Sequence, residues 1–154
     1  MTPGVSRSHS FIGRWTGASV GALRSFRRHN DTAMAGPSAK EVEPILDAAA
    51  AVAASFAQRT GGTEGSQALA NAASICRWEL LVLRERILQL GVTTQCQALQ
   101  AEIVRHLEDA AAAARVLSSG YRFHSLDRIC EGGQALDDHL EALERLRTRS
   151  DPGA

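Results

Sequence analysis

The side chains in this chain that are best suited to binding a transition-metal ion are five histidines and three cysteines. Metal sites usually place such residues at short intervals, as in Cys-x-x-Cys or His-x-x-x-His, so that neighbouring ligands share one side of the backbone. Neither pattern occurs here. His124, Cys130 and His139 are six and nine residues apart, an interval that distributes them around a helix. The sequence therefore predicts no metal site.

Spacings typical of catalysis are missing as well. A ferritin-like di-iron site needs Glu-x-x-His pairs on two helices, yet Glu102 is followed three residues later by Arg105. Glu102 and His106 lie one helical turn apart at the edge of an apolar face, where a histidine more often packs than binds an ion. No serine or cysteine stands in a glycine-flanked turn, and there is no glycine-rich phosphate loop. We therefore expect no catalytic residue, no cofactor and no enzymatic activity.

The length and composition of the chain indicate its fold class. The chain has 154 residues, enough for one domain with a hydrophobic core, and 44% of them are apolar while only 5% are aromatic. Much of the apolar content is alanine, the strongest helix former. No apolar run approaches the roughly 18–20 residues that span a bilayer. These features predict an all-α protein without a transmembrane segment.

Charge is distributed unevenly although its sum is zero. The first 30 residues contain five arginines and no acid, so the remainder carries twelve basic residues against 17 acidic ones. A mildly acidic folded part argues against a nucleic-acid partner, because such partners are bound by basic surfaces. We expect protein partners instead.

Three segments follow from the patterning. Residues 1–37 are rich in glycine and serine and have weak helical potential, which predicts a disordered or targeting extension. Residues 38–148 carry helical periodicity and predict a helical bundle. Residues 149–154 are expected to be a disordered tail.

Two observations bear on the cellular compartment. Three cysteines that are far apart in sequence favour buried thiols in a reducing, intracellular location, either cytoplasmic or nuclear. The alternative is mitochondrial, because the first segment is arginine-rich, serine-rich and acid-free, with Phe11, Trp15 and Phe26 at roughly helical intervals.

Four helices are predicted from apolar spacing and from capping residues. The first is expected to begin at Pro44 and end near Arg59, and its apolar positions are Ile45, Ala49, Val52 and Phe56. The second is expected between Ser66 and Gly91. Its apolar positions alternate spacings of four and three, as in a heptad seam: Leu69, Ala73, Cys76, Leu80, Leu83, Ile87 and Leu90.

The third helix is expected to begin after a cap at Thr93 or Thr94 and to end at Gly120. Ser125 is expected to cap the fourth, which Gly132-Gly133 would interrupt as a kink or accommodate as a close helix crossing. The short connections predict an antiparallel up-down bundle of three to four helices.

The second helix carries a further apolar stripe opposite its heptad seam. The stripe consists of Ile75, Trp78, Leu81, Val82 and Leu88. One interpretation is that this helix is central and surrounded by the other three. The other is that the stripe binds a protein partner or a second copy of the chain, since tryptophan is a residue type that often anchors interfaces.

The sequence thus favours a non-catalytic helical subunit or adaptor of a larger assembly, acting through coiled-coil-like helix contacts. The alternative hypothesis is a small helical-bundle enzyme or ligand-binding protein with a pocket between helices three and four. The two differ in an observable way. A subunit should expose an apolar stripe, whereas an enzyme should gather buried charges in a cleft.

Overall fold

A computed structural model describes residues 37–62 and 64–150, and this part of the chain is built from helices without any strand. The four α-helices are α1 (Pro37–Thr60), α2 (Ser66–Gln89), α3 (Gln97–Arg122) and α4 (Leu126–Arg149), and a short 3-10 helix, Thr94–Cys96, precedes α3. The predictions about the first 36 residues lie outside the described residues. Among the described helices, none has the length and apolar character that crossing a membrane would require.

The helices form a four-membered antiparallel ring around one core. Helix α1 packs on α2 and α4, and α3 packs on the same two helices from the other side. The largest side chains fully enclosed between them are aliphatic and come from α1, α2 and α3: Leu46, Leu80, Ile87, Ile103 and Leu107. The predicted all-α up-down bundle is confirmed, with four helices.

Helix α1 begins earlier than predicted. It starts at Pro37 and continues through Pro44, which was expected to be its first residue. Proline lacks the N–H that would bond the carbonyl of Lys40, a defect that normally breaks a helix interior. Here both residues are exposed, so water can satisfy that carbonyl, while the neighbouring Val42 and Ile45 are buried in the core. Burial of these apolar neighbours offsets the lost hydrogen bond.

The heptad seam of α2 faces the core as predicted, with one exception. Ala73, Cys76, Leu80, Leu83 and Ile87 are buried, and Leu69 is partly buried against the core. Leu90 lies beyond the helix, in extended conformation, and is exposed. The interpretation that α2 is the central helix is wrong, because α2 packs extensively only on α1 and α3 within the described part of the chain.

The connection between α3 and α4 differs from the prediction at one end only. Helix α3 passes through Gly120 and ends at Arg122, and the chain reverses at His124, whose φ of 53° is left-handed. The Ser125 N–H donates to the Gly120 carbonyl and the His124 N–H to the Tyr121 carbonyl, which is the hydrogen-bond pattern of a Schellman motif. Ser125 caps α4 as predicted, since its side chain accepts from the Arg128 N–H.

The predicted threonine cap of α3 is absent. Neither Thr93 nor Cys96, the residues that precede the 3-10 helix and α3, forms a side-chain capping hydrogen bond. The 3-10 turn instead satisfies part of this end through the Cys96 N–H, which donates to the Thr93 carbonyl.

Glycines set the distance between α3 and α4. A Cβ atom on Gly132 would lie 2.5 Å from the backbone nitrogen of Leu117, and one on Gly120 would lie 2.7 Å from the backbone nitrogen of Ile129. Helix α4 runs without interruption through Gly132-Gly133. The glycine pair is therefore a close crossing rather than a break, and Gly132 alone makes the contact.

An ion-pair network joins α1 to α4. Arg147 is buried and its guanidinium binds Glu144 one turn earlier and Asp47 on α1, 3.3 Å away. These hydrogen bonds raise the pKa of Arg147 against the opposing effect of burial, so the guanidinium stays charged.

Candidate protein-binding face

The second apolar stripe of α2 points away from the bundle. Because α1 and α3 flank this helix and its heptad seam faces the core, the opposite side has no helical neighbour among the described residues. The exposed fractions of its large apolar side chains are 42% for Ile75, 66% for Trp78, 53% for Val82 and 48% for Leu88. We call these four residues the outer face of α2.

Leu81 was predicted to belong to this stripe, and its position is different. Leu81 is partly buried and packs against the core, on the side of α2 that faces α3. Leu81 is three residues after Trp78, which places it about 60° around the helix from Trp78 at 100° per residue. Residues of α3, among them Ala111 and Ala112, lie beside it at this position. Leu81 therefore supports the edge of the outer face.

Ion pairs border the outer face on both sides. Glu79 accepts a hydrogen bond from Arg59 of α1 at 3.2 Å, and Arg84 donates to Glu108 of α3 at 2.6 Å. Arg84 also bonds Glu85 at 2.6 Å, and Glu85 is largely exposed. The result is an apolar centre with a polar rim, the arrangement typical of protein interfaces.

A surface groove is the feature relevant to the alternative hypothesis of an enzyme or ligand-binding protein. It has a volume of about 610 Å³ and crosses the outer side of α3 between α2 and α4. Arg77, Arg115 and Arg128, one from each helix, border it, and its floor includes Leu81 and Val116. Arg115 and Arg128 are exposed and Arg77 is half-buried, so the groove does not gather buried charges as a catalytic cleft would.

Side chains suited to metal binding do not gather in large groups in the described part of the chain. Within residues 37–62 and 64–150, no group of three or more histidine, cysteine, aspartate or glutamate side chains is positioned to hold a metal ion. One pair does meet. His106 of α3 and His139 of α4 approach to 3.2 Å between their Nδ1 atoms, a contact between residues 33 apart in sequence that spacing rules cannot detect.

The three cysteines differ in exposure. Cys76 and Cys96 are buried as predicted, but Cys130 is exposed on α4, and none of the three forms a disulfide. Burial, reinforced by the nearby Glu79, raises the pKa of Cys76 to about 12. Burial likewise raises the pKa of Cys96. Because the thiolate is the reactive form, both of these thiols are protected at neutral pH.

We expect one of the three thiols to react rapidly with an aromatic disulfide reagent in the native protein at pH 7.5. The Cys130→Ser variant should lose this rapid phase, and all three thiols of the unchanged chain should react in denaturant. Absorbance of the released thiolate measures the count. Rapid reaction of a second thiol in the native protein would contradict the enclosure of Cys76 and Cys96.

Comparison of the chain with protein-family models, curated protein sequences and solved structures gives no match in any of the three.

Proposed function

We propose that the protein is a non-catalytic helical subunit or adaptor that binds an α-helical segment of a partner protein through the outer face of α2. The observation that supports this proposal most directly is the exposure of Trp78, two-thirds of whose side chain is open to solvent. A tryptophan held in this way on a rigid helix loses little conformational entropy on binding, and its large ring contributes much of the area that a partner can cover.

The spacing of the neighbouring residues suits a helical ligand. Ile75 and Val82 lie one turn before and one turn after Trp78, so the three side chains form a continuous ridge along α2. A helix of 24 residues is ~36 Å long at 1.5 Å per residue, which gives the partner several turns to contact. Contiguous apolar patches on a protein surface commonly mark interaction sites.

The polar rim would favour one orientation of the partner on the outer face of α2. Arg59, Glu79, Arg84 and Glu108 are already paired along the two edges, so a partner need not supply a charge for each of them. Glu85 has its side chain 62% exposed. Although Glu85 is also bonded to Arg84, it is the most exposed of these rim side chains and can accept a further hydrogen bond from a basic side chain of the partner. Burial of the apolar centre would supply affinity, and Glu85 would favour one orientation.

Binding of a small anionic ligand in the arginine-bordered groove is the second candidate function. The observation that favours it is the arrival of Arg77, Arg115 and Arg128 from three different helices above an apolar floor. It ranks second because Glu108 and Glu131 also border the groove and offset part of its positive charge.

Affinity purification with matched baits tests the first candidate. We expect the full chain to recover a partner that the Trp78→Ala, Val82→Ser double variant fails to recover. The control is Phe123→Ala, which removes an aromatic side chain of nearly equal exposure, 69%, from the connection between α3 and α4. Quantitative mass spectrometry compares the three baits, and sedimentation of the purified chain detects self-association through the same face.

Two results would contradict the proposal. Equal recovery of all partners by the double variant would show that the outer face of α2 is not used. Loss of the partner from the Phe123 variant alone would place the interface at the connection between α3 and α4.

A further inference from the structure

His106 and His139 form the one cross-helix contact between ring side chains in the described part of the chain. Their Nδ1 atoms are 3.2 Å apart, their ring centroids are 5.5 Å apart, and the ring planes are inclined by 48°. In a neutral pair, one Nδ1 must carry the proton and the other must present its lone pair. The contact therefore brings two nitrogen ligands to one point without any acidic partner between them.

Rigid elements hold both rings in place. His106 lies in the middle of α3 and His139 in the middle of α4, so neither depends on a loop for its position. The same two helices are held at short distance by Gly132, which packs on the backbone of Leu117. Both rings are half-buried, which limits their rotation but leaves access from solvent.

The distance between the two Nδ1 atoms is close to the separation expected for two nitrogens that bind the same metal ion. Imidazole nitrogen binds Zn²⁺ at about 2.0–2.1 Å, and two nitrogens 3.2 Å apart would then subtend an angle of about 100° at the ion. That angle lies between the right angle of square or octahedral coordination and the tetrahedral angle. The observed separation of the two nitrogens is therefore compatible with one shared metal ion.

Charged side chains of both signs lie near the pair. Glu102 and Asp109, one turn on either side of His106, interact with it electrostatically, as does the opposing charge of Arg105. Burial, followed by the proximity of His139 and Arg105, lowers the pKa of His106.

We propose that His106 and His139 form a two-histidine site for a divalent transition-metal ion of the Zn²⁺ type, and that the bound ion joins α3 to α4. Imidazole ligands select such ions over Mg²⁺ and Ca²⁺, which prefer oxygen. Two protein ligands leave the remaining coordination positions to water. The ion is therefore exchangeable, and once its concentration exceeds the dissociation constant, the stability of the folded bundle rises with the logarithm of that concentration.

Titration of the full chain with ZnCl₂ in a calorimeter, together with thermal unfolding at the same Zn²⁺ concentrations, tests the proposal. We expect saturable binding and a rise in the unfolding midpoint. Either His106→Gln or His139→Gln should weaken the binding by at least roughly tenfold, since loss of even a supporting group around a metal commonly costs 10–100-fold. MgCl₂ should produce neither effect.

His124→Asn is the matched control, because it removes an exposed histidine and asparagine tolerates the left-handed backbone at that position. It should keep both the binding and the rise in midpoint. Unchanged binding in both glutamine variants, or loss of binding in His124→Asn alone, would overturn the proposal. Circular dichroism establishes that each glutamine variant retains its helices. A variant that unfolds is replaced by the corresponding asparagine substitution.

Discussion

The Gly132→Ala variant is expected to lose about 3 kcal/mol of unfolding free energy, at the upper end of the usual range for over-packing. The added Cβ would lie 2.5 Å from the backbone nitrogen of Leu117, 2.9 Å from its Cα and 3.0 Å from the carbonyl oxygen of Ala113. These are helix backbone atoms, which cannot rotate away as a side chain would. Helices α3 and α4 must separate, and their remaining contacts weaken together. Urea unfolding followed by circular dichroism gives the free energy.

Gly133→Ala is the control, and the opposite sign is expected for it. The nearest atom to a Cβ at Gly133 is a terminal methyl of Leu117 at 4.0 Å, an ordinary contact. Replacing a helical glycine by alanine where space exists stabilises by roughly 0.5–1 kcal/mol. If both variants were equally stable, or if Gly132→Ala were the more stable of the two, the close crossing would be refuted.

The second large effect is a contrast between two residues of α2. Leu80→Ala is expected to cost about 2–5 kcal/mol of unfolding free energy, because Leu80 is fully buried in the core. Trp78→Ala, two positions earlier on the outer face, is expected to change the same quantity by less than about 0.5 kcal/mol. Chemical unfolding of both variants at one pH measures the difference directly.

The contrast bears on the proposed function. If Trp78→Ala cost as much as Leu80→Ala, the tryptophan would be covered within the isolated chain and could not be available to a partner. A folded Trp78→Ala variant that no longer recovers a partner would show that the side chain serves binding and not folding. Leu80→Ala distinguishes this from general instability, because it weakens the fold while leaving the outer face chemically intact.

Several features were predictable because they depend on neighbours in sequence. The alternation of four and three residues from Ala73 to Ile87 determines which side of α2 is buried, since helical geometry is local. The serine at position 125 determines the start of α4 through a hydrogen bond to a backbone N–H three residues later. The apolar stripe around Trp78 was visible for the same reason, and four of its five predicted members are exposed.

Local patterns were misleading where solvent decides the outcome. Pro44 was expected to begin α1, but it lies inside the helix. The Lys40 carbonyl that lacks a backbone partner because of Pro44 can bond water, since both residues are exposed, and the helix continues. Cys130 was expected to be a buried thiol, yet it is exposed near the beginning of α4, as is Leu126. Periodicity gives the direction of a side chain and says nothing about whether another helix reaches that far.

Only the tertiary structure decided which residues meet across helices. Leu81 belongs by spacing to the outer stripe, and the position of α3 beside it makes it an edge residue. Two adjacent glycines are equivalent in sequence, but the crossing of α3 over α4 places backbone against Gly132 and open space near Gly133. His106 and His139 face each other for the same reason, because contact between helices depends on crossing angle and register, which no single helix encodes.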